Sequence, residues 1–217
     1  MPNRDELRMS NMKSISHFEI IDITKLSEYE KYVYKCLASM PFRRYSGRQE
    51  YLQKAIPRGF HKKLLILNGG VVGTIEYAPA DVSGYPITGN GVIVMNCVWV
   101  LRKARGHNFG KLVKDMVKSE RDAAGFATIS LEIPWSPWFR KCQIEKLGFK
   151  PVDSIRVAHR TEHKGQVFNI YLMWMPVTET AKLPGWDRRR LLEGETFCLA
   201  HPLYRPQVWK GNIFEAK

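Results

Sequence analysis

Apolar and polar positions follow one another along this chain in short blocks that predict an alternation of strands and helices. Residues 92–101 form the longest such block, an apolar run interrupted only by Asn96, which predicts a buried strand. Two shorter apolar runs flank Asn68-Gly69-Gly70, as in a hairpin with a tight turn. The segments with a strand pattern are residues 18–23, 63–67, 71–77, 92–101, 127–133, 151–158 and 167–175.

Other segments repeat apolar residues at the three-to-four-residue period of a helix. The clearest follows the long apolar run, has one apolar face, carries its cations off that face and reaches Gly125 as its predicted end. Its apolar face consists of Phe109, Leu112, Val113, Met116 and Val117. The predicted helices are residues 25–39, 47–56, 107–124 and 138–147.

The order of these elements predicts one mixed α/β domain. A hairpin precedes a strand–helix–strand unit, which favours a parallel pair of strands, and a last helix precedes two antiparallel strands. We predict a flexible tail at residues 1–14, the folded domain at residues 15–177, and an extension at residues 178–217. The extension has no counterpart in the pattern of the core, and we expect it to be an irregular segment that packs its two Trp on the domain. The alternative is a flap that binds a substrate or a partner.

The turn after the long apolar run predicts an anion site. A glycine-bearing turn between a strand and a helix directs several backbone N–H groups at one point, in front of the positive end of the helix dipole. Between Val98 and Arg121 there are seven Lys/Arg against two carboxylates, within a chain whose net charge is +13. This combination is suited to a phosphate or a pyrophosphate.

Two sequence motifs, one at this turn and one downstream, indicate a family. Arg105-Gly106-His107-Asn108-Phe109-Gly110 begins five residues after Val100, and this turn resembles motif A of the GNAT N-acetyltransferases, which reads Arg/Gln-x-x-Gly-x-Gly/Ala. Asn108 stands in place of the middle glycine, and Arg102 stands where proline is frequent. About 40 residues downstream, Glu145-Lys146-Leu147-Gly148-Phe149 resembles the family's Tyr-Glu-Lys-Leu-Gly-Phe element, with Ile144 at the position of the tyrosine.

The resemblance implies the GNAT fold, a mixed twisted sheet of six to seven strands with helices on both faces and splayed central parallel strands. It also implies acetyl-CoA as cosubstrate, direct attack of an amine on its thioester, and no metal. The amide of Val100 would polarise the thioester carbonyl. The residues implied to bind the cosubstrate are Val98, Trp99, Val100, Arg105, Gly106, His107, Asn108, Phe109, Gly110 and Lys111.

Three residues are candidates for the chemistry of the acceptor amine, which must lose a proton before it can attack. Glu132 and Glu76 are carboxylates near the expected thioester and are candidate general bases. Asn96 is the polar residue within the apolar strand, and strict alternation places it on the same face as Val98 and Val100. Each of the three also has a structural interpretation, at a solvated strand end for the carboxylates and at a bulge for Asn96.

The resemblance leaves the acid for the leaving thiolate open, because Ile144 cannot donate a proton. Cys142 and water are the two candidates that remain, and the isolated position of Cys142 on a predicted helix favours packing over catalysis.

Composition narrows the environment of the protein. The four cysteines are far apart and form no Cys-x-x-Cys pair, so we expect reduced thiols, no metal site and a cytoplasmic location. The sequence has no run of 18 apolar residues, so we expect no transmembrane helix. Its N-terminal residues lack the apolar segment of a signal peptide, so we expect no export.

The acceptor and any partners remain open at this stage. We expect a small-molecule or peptide amine, and the charge of +13 keeps nucleic acid as a candidate partner, although no motif supports it. The alternative function is a non-catalytic module that binds CoA or nucleic acid on the same fold. The sequence does not indicate an oligomeric state.

Overall fold

The structure, a computed structural model, describes residues 17–24, 26, 30–36, 43–44, 46–104, 108–133, 139–161, 163–194 and 211–217. The strands are β1 (Phe18–Asp22), β2 (Lys35–Cys36), β3 (Arg43–Arg44), β4 (His61–Leu67), β5 (Gly70–Pro79), β6 (Ile87–Thr88), β7 (Val92–Val100), β8 (Gly125–Leu131), β9 (Phe139–Arg140), β10 (Lys150–His159), β11 (Val167–Pro176), β12 (Gly185–Trp186) and β13 (Phe214–Ala216). The helices are α1 (Glu30–Val33), α2 (Ser46–Ala55), α3 (Asn108–Ser119), α4 (Lys141–Glu145) and α5 (Arg188–Glu193), with 3₁₀ turns at Ile56–Arg58 and Arg102–Ala104. The predicted tail at residues 1–14 lies outside the described residues.

One mixed sheet dominates the fold. Its strand order is β1-β4-β5-β7-β8-β11-β10-β13, with the short strand β9 beside β8. The pairs β7–β8 and β8–β9 are parallel, and the other pairs in this sheet are antiparallel. The predicted mixed α/β class is therefore confirmed, and the short strands β9 and β13 extend the seven that were predicted.

Helices cover both faces of the sheet. On one face, an apolar cluster joins α3 and α4 to the sheet and contains Leu112, Met116 and Ile144. On the opposite face, α2 packs through Leu52 against β5, and α5 packs through Leu191 against the half of the sheet around β8 and β11. We call the first face the α3 face and the second the α2 face. Within the described part of the chain, no helix is both long and apolar enough to span a membrane.

The β4–β5 hairpin confirms the predicted tight turn. Asn68 and Gly69 both have positive φ, 49° and 76°, which is the backbone of a two-residue turn that matches the twist of the flanking strands. Asn and Gly are the residues that adopt this conformation at least cost.

Three predicted helices are too long. The helix predicted over residues 138–147 is wrong at its start, because Phe139–Arg140 form β9 and α4 covers only Lys141–Glu145. The prediction of a helix over residues 25–39 is wrong at its end, because α1 stops at Val33 and Lys35 pairs in β2. The ammonium of Lys62 binds the carbonyl oxygens of Val33 at 3.2 Å and Lys35 at 2.6 Å, and so satisfies groups that the helix no longer pairs. The third predicted helix is also too long, since α3 ends at Ser119.

Gly125, predicted to end that helix, is the first residue of β8. A Cβ at Gly125 would lie 2.3 Å from the ring of Trp174, so the glycine is required for the packing of β8 on β11. The backbone N–H of Ala124 donates to the carbonyl of Gly91 at 2.8 Å, which ties the start of β8 to the start of β7.

The described part of the C-terminal segment contains three short regular elements, β12, α5 and β13, within the segment that was expected to be irregular. Strand β12 pairs with β6, and β13 adds to the sheet beside β10. The side chain of Asp187 caps α5 by accepting from the N–H groups of Arg189 at 3.0 Å and Arg190 at 3.1 Å. Phe214 is fully buried, and the indole N–H of Trp186 donates to Asp153 at 2.7 Å. Trp209 lies outside the described residues.

Candidate active site at the parting of two parallel strands

The central parallel strands β7 and β8 pair over only three positions. Val92, Ile93 and Val94 lie opposite Gly125, Phe126 and Ala127, and no later residues of the two strands pair. The hydroxyl of Thr128 donates to the carbonyl of Met95 at 2.8 Å and is a last link between the strands. Beyond it, β7 and β8 diverge. We call the gap between residues 96–100 of β7 and residues 128–131 of β8 the wedge.

The two sides of the wedge differ. On the side of β8 that faces the wedge, β9 pairs with Ser130 and Leu131. On the side of β7 that faces the wedge, the residues after Val94 have no strand partner in the described structure. The N–H of Leu101 donates to Val72 of β5 at 2.7 Å, and successive residues of a strand direct their backbone groups to opposite sides. The N–H and C=O groups of Val98 and Val100 therefore point towards the wedge, where a peptide-like ligand can pair with them. The backbone of Trp99 faces β5 instead.

A bulge at Asn96 changes which face of the sheet the later side chains of β7 occupy. Glu76 pairs with Cys97 and Tyr77 with Met95, so Asn96 is the extra residue on β7.

The bulge shifts the alternation of side chains by one residue. Ile93 and Met95 pack on the α3 face before the bulge, and Val98 and Val100 pack on the same face after it. The expectation that Asn96 shares a face with Val98 and Val100 is wrong, because it assumed unbroken alternation.

The side chain of Asn96 is buried and held by the loop before β6. Its amide nitrogen donates to the carbonyl of Ser83, and its own backbone carbonyl accepts from the hydroxyl of Tyr85 at 2.9 Å. Its amide oxygen Oδ1 has no hydrogen-bond partner. Asn96 is thus oriented by one half of its amide, and the other half is an unused acceptor.

Three of the residues that border the wedge have a buried polar side-chain atom with no hydrogen-bond partner among the described residues. These atoms are Oδ1 of Asn96, Nε1 of Trp99 and Oγ of Ser130. Folded proteins pair the great majority of such atoms, because an unpaired buried group costs about 1–3 kcal/mol. A ligand that supplies two donors or acceptors at the wedge would therefore be bound favourably.

The N-terminus of α3 lies beyond the end of β7. Arg105, Gly106 and His107, the first residues of the predicted phosphate turn, lie outside the described residues. Asn108 opens α3, and its side-chain amide donates to the carbonyl of Ala104, which ties the helix start to the preceding 3₁₀ turn.

Two further residues of this helix start are open to contact. A Cβ at Gly110 would meet no atom of the described residues within 4 Å, so those residues leave room beside this part of the first turn. The ammonium of Lys111 lies 3.7 Å from the ring centre of Phe18, and its neighbour Phe109 packs against the α3-face cluster. The accessible first turn and the positive end of a twelve-residue helix are what an anionic ligand requires.

Glu76 is buried between two cations. Its carboxylate contacts the guanidinium of Arg48 on α2 and the ammonium of Lys62 on β4, the latter at 3.0 Å, and all three side chains are at most 3% exposed. Burial alone would raise the pKa of Glu76, but the charges and hydrogen bonds of Arg48 and Lys62 outweigh it and hold the pKa below its ordinary value. Burial likewise lowers the pKa of Lys62, and Glu76 opposes this effect only in part. A carboxylate held in this way is a weak base.

Glu132 has a different environment. It follows the last residue of β8, is exposed, and accepts from the side-chain amide of Asn169 at 3.0 Å and from its backbone N–H at 3.2 Å. The carboxylate is therefore oriented by β11 and remains accessible to solvent and to a substrate.

The structure shows no feature of Ile144 or Cys142 that would supply a proton to the leaving thiolate. Ile144 is fully buried in the α3-face cluster, with Val98 and Phe149. Cys142, two residues earlier on α4, is exposed and is a free thiol.

The described chain also has a cavity at the other end of β7. It has a volume of about 600 Å³ and is lined mainly by residues 87–93 and 119–123. None of the predicted site residues lines it, so we place the candidate site at the wedge.

Sequence reasoning missed Ser130, Arg48 and Lys62. The sequence Ala-Thr-Ile-Ser-Leu at 127–131 alternates apolar residues with hydroxyl residues, which indicates that two hydroxyls share one face of β8. The buried ion contacts have no comparable local signal, because α2, β4 and β5 bring them together.

Comparison with known proteins supports the fold but no closer relationship. No protein-family model and no curated protein matches this sequence. Among solved structures, a GNAT-family protein from Desulfovibrio desulfuricans superposes with a TM-score of 0.53 at 11% identity, over 75% of this chain and 100% of that one. The ribosomal-protein-S18-alanine N-acetyltransferase from Escherichia coli gives a TM-score of 0.52 at 12% identity, over 77% of this chain and 100% of that one. The chain therefore has the fold of the GNAT acetyltransferases.

Proposed function

We propose that this protein is an acetyl-CoA-dependent N-acetyltransferase that acetylates a primary amine of a small molecule or a peptide. The observation that carries the proposal is the wedge, where β7 has a free edge and three bordering residues have buried polar groups without a partner in the described structure. A peptide-like arm that ends in a reactive carbonyl has partners at this place, and the arm of CoA is of that kind.

The residues present fit acetyl-CoA at both of its ends. The turn at residues 105–110 and the first turn of α3 would hold the pyrophosphate. The wedge-facing backbone groups of Val98 and Val100 would pair with the pantetheine arm, and the N–H of Val100 would polarise the thioester carbonyl. Bound acetyl-CoA supplies an activated acetyl group, so no metal is required by this chemistry.

The acceptor amine would meet Asn96 and Glu132. Oδ1 of Asn96 can only accept a hydrogen bond, and an amine N–H is the group that it lacks. Glu132 is our candidate for the base that removes the proton of the amine, directly or through water, since it is accessible and already oriented by Asn169. We do not assign this role to Glu76, because its carboxylate is occupied by Arg48 and Lys62.

One observation favours the second candidate function, a module that binds CoA or nucleic acid without catalysis. Four cations lie on the exposed side of α3 and just beyond its end, and they have no acidic partner in the described structure: Lys111, Lys114, Lys118 and Arg121. A row of this kind attracts phosphate groups in a salt-dependent manner.

The test is turnover of acetyl-CoA by the full chain with a panel of primary amines and peptides. We expect amine-dependent release of free thiol and an acetylated product of the corresponding mass. Binding of CoA without a product from any amine would contradict the enzyme and support the non-catalytic module. A salt-dependent shift of an RNA oligonucleotide without CoA binding would support the nucleic-acid form of that module.

A further inference from the structure

We propose that Ser130 donates a hydrogen bond to the sulfur atom that leaves during acetyl transfer, and is thereby a catalytic residue. The inference rests on the proposed acetyl-CoA-dependent function. It assigns a role that neither the motifs nor the candidate residues at the site fill, since Ile144 has no donor and Cys142 faces solvent.

The reaction creates a need for such a donor. The amine nitrogen forms a bond to the carbonyl carbon, and the carbon–sulfur bond breaks with its electron pair on sulfur. The nitrogen loses one proton to a base or to water, and the sulfur finally takes one proton from water. A thiol has an ordinary pKa of about 8.5, so near neutral pH the departing thiolate is a strong acceptor until it is protonated. In a site that excludes water, an unpaired thiolate is costly.

The position of Ser130 suits this role. Ala127, Ile129 and Leu131 of β8 pack on the α2 face. Successive side chains of a strand alternate, and Phe126 packs on the α3 face, so Ser130 lies on the α3 face as well.

The position of Ser130 along β8 also suits this role. It lies two residues beyond Thr128, whose hydroxyl is a last link to β7, and therefore on the part of the strand that borders the wedge. Its neighbours across the strand are Phe139 on β9 and Tyr171 on β11. Helix α4, which carries Ile144, packs over this part of the sheet.

The hydroxyl of Ser130 is available. The residue is fully buried, and its Oγ has no hydrogen-bond partner among the described residues. A hydroxyl is a donor that rotates freely to meet an acceptor, unlike the amide oxygen of Asn96. Thr128 also has a hydroxyl on this face, but the carbonyl of Met95 already accepts its proton. Tyr171 lies one strand farther from β7.

The test compares CoA with desulfo-CoA on the full chain and on Ser130→Ala. Desulfo-CoA keeps the phosphates and the pantetheine arm but lacks the sulfur. We expect the parent protein to bind CoA more tightly than desulfo-CoA at a pH where bound thiol ionises. The ratio of the two affinities should fall by roughly tenfold in Ser130→Ala, which is the scale of a hydrogen bond to a charged group.

Two further readouts separate this role from a structural one. The thiol of bound CoA, titrated by its ultraviolet thiolate absorbance, should have a pKa about one unit higher in Ser130→Ala than in the parent. Ser130→Ala should keep or raise the melting temperature, because it removes a buried hydroxyl without a partner. Thr74→Val is the matched control, because the buried hydroxyl of Thr74 donates to the carbonyl of Lys63 at 3.0 Å, between β5 and β4 and away from the wedge. It should lower the melting temperature and leave the pKa of the bound thiol unchanged.

The outcomes are distinct for the two proposals. Equal CoA to desulfo-CoA ratios and equal thiol pKa values in the parent and in Ser130→Ala would overturn the role of Ser130, while CoA binding itself would leave the proposed function standing. A marked loss of stability in Ser130→Ala would also overturn it. Failure of the parent to bind either compound would overturn the proposed function.

Discussion

Glu76 and Glu132 show how the surroundings of a carboxylate decide its use. The sequence presents both as candidate bases, and nothing in their neighbours distinguishes them. In the structure, Glu76 is buried with Arg48 and Lys62, and Glu132 is exposed beside Asn169. The first arrangement stabilises the contact of α2 with the sheet, and the second leaves a carboxylate free to act.

Replacing Glu76 by Gln should destabilise the protein strongly. Arg48 and Lys62 would then be two buried cations without a counter-charge, and breaking a buried ion pair in this way costs about 3–5 kcal/mol. Glu132→Gln is the matched control, and we expect its free energy of unfolding to change by less than about 0.5 kcal/mol. Urea denaturation measures both. A stable Glu76→Gln variant that has lost acetyl transfer would instead identify Glu76 as the base.

The lowered pKa of Glu76 also predicts that the free energy of unfolding falls at acidic pH. Its folded-state pKa is lower than its unfolded value, so its contribution is fully present above the unfolded pKa of about 4.3 and is lost as the pH falls through the folded value. The free energy of unfolding should therefore fall below about pH 4.3 in the parent. In Glu76→Gln this fall should be weaker, and an identical fall in both proteins would contradict the assignment.

At the scale of elements, the wedge depends on where β7 and β8 stay together. Three paired positions and the Thr128 hydroxyl hold the strands at one end, and the bulge at Asn96 turns β7 away beyond them. The loop that contains Ser83 and Tyr85 holds the bulge in place. The geometry of the site therefore depends on residues that do not touch a ligand.

Gly125→Ala should disturb this closed end of the wedge. The added Cβ would lie 2.3–2.5 Å from the ring of Trp174 and 2.8 Å from the carbonyl of Met175, so a strand must shift. We expect a loss of about 1–3 kcal/mol in the free energy of unfolding, the usual cost of overpacking a core. Gly165→Ala tests a position where the Cβ would meet no atom but φ is +82°, so a loss there reports backbone strain alone. A Gly125→Ala variant as stable as the parent would contradict the packing described for β8 on β11.

The element order was predictable from the sequence because each element has a local pattern. The Asn68-Gly69 turn, the apolar face of α3 and the long run of β7 each show it. The bulge was one of two interpretations of Asn96, because one Asn in an apolar run does not reveal whether the alternation of side chains continues or breaks. The burial of Arg48 and Lys62 was hidden, since long-range packing of α2 on β4 and β5 brings the charges together. Ser130 had a faint signal, the alternating hydroxyls of β8, but its lack of a partner is a property of the fold.

At the scale of the whole molecule, the C-terminal segment completes the sheet and one of its faces. Strand β13 pairs with β10, and Phe214 packs edge-on against His159 at 5.5 Å and against Phe168 at 5.9 Å between ring centres. His159 is 1% exposed, and its Nδ1 accepts from the backbone N–H of Thr161 at 3.1 Å. A neutral imidazole is therefore part of the junction between the end of the chain and the domain.

The burial of His159 at this junction predicts a second loss of stability, which begins at a less acidic pH than the loss from Glu76. Burial lowers the pKa of His159 to about 4, from an ordinary value of 6.5. The unfolded chain binds the proton first, so the free energy of unfolding should fall by about 3 kcal/mol as the pH drops from 6.5 to 4, with no contribution above 6.5. Denaturation across this range measures the effect. His159→Gln cannot titrate and should lack the slope, and an unchanged slope in that variant would refute the assignment.

The central claim is that CoA binds with its pyrophosphate at the start of α3 and its arm in the wedge. The most direct measurement is calorimetric titration of CoA into the parent protein and into Gly110→Val. A Cβ at Gly110 would meet no atom of the described residues within 4 Å, and Val is no poorer a helix former than Gly, so the melting temperature should change little. We predict that the parent binds CoA and that Gly110→Val binds it at least tenfold more weakly, because the side chain stands where the phosphates approach the backbone. Equal affinity for CoA in two equally stable proteins would contradict the account.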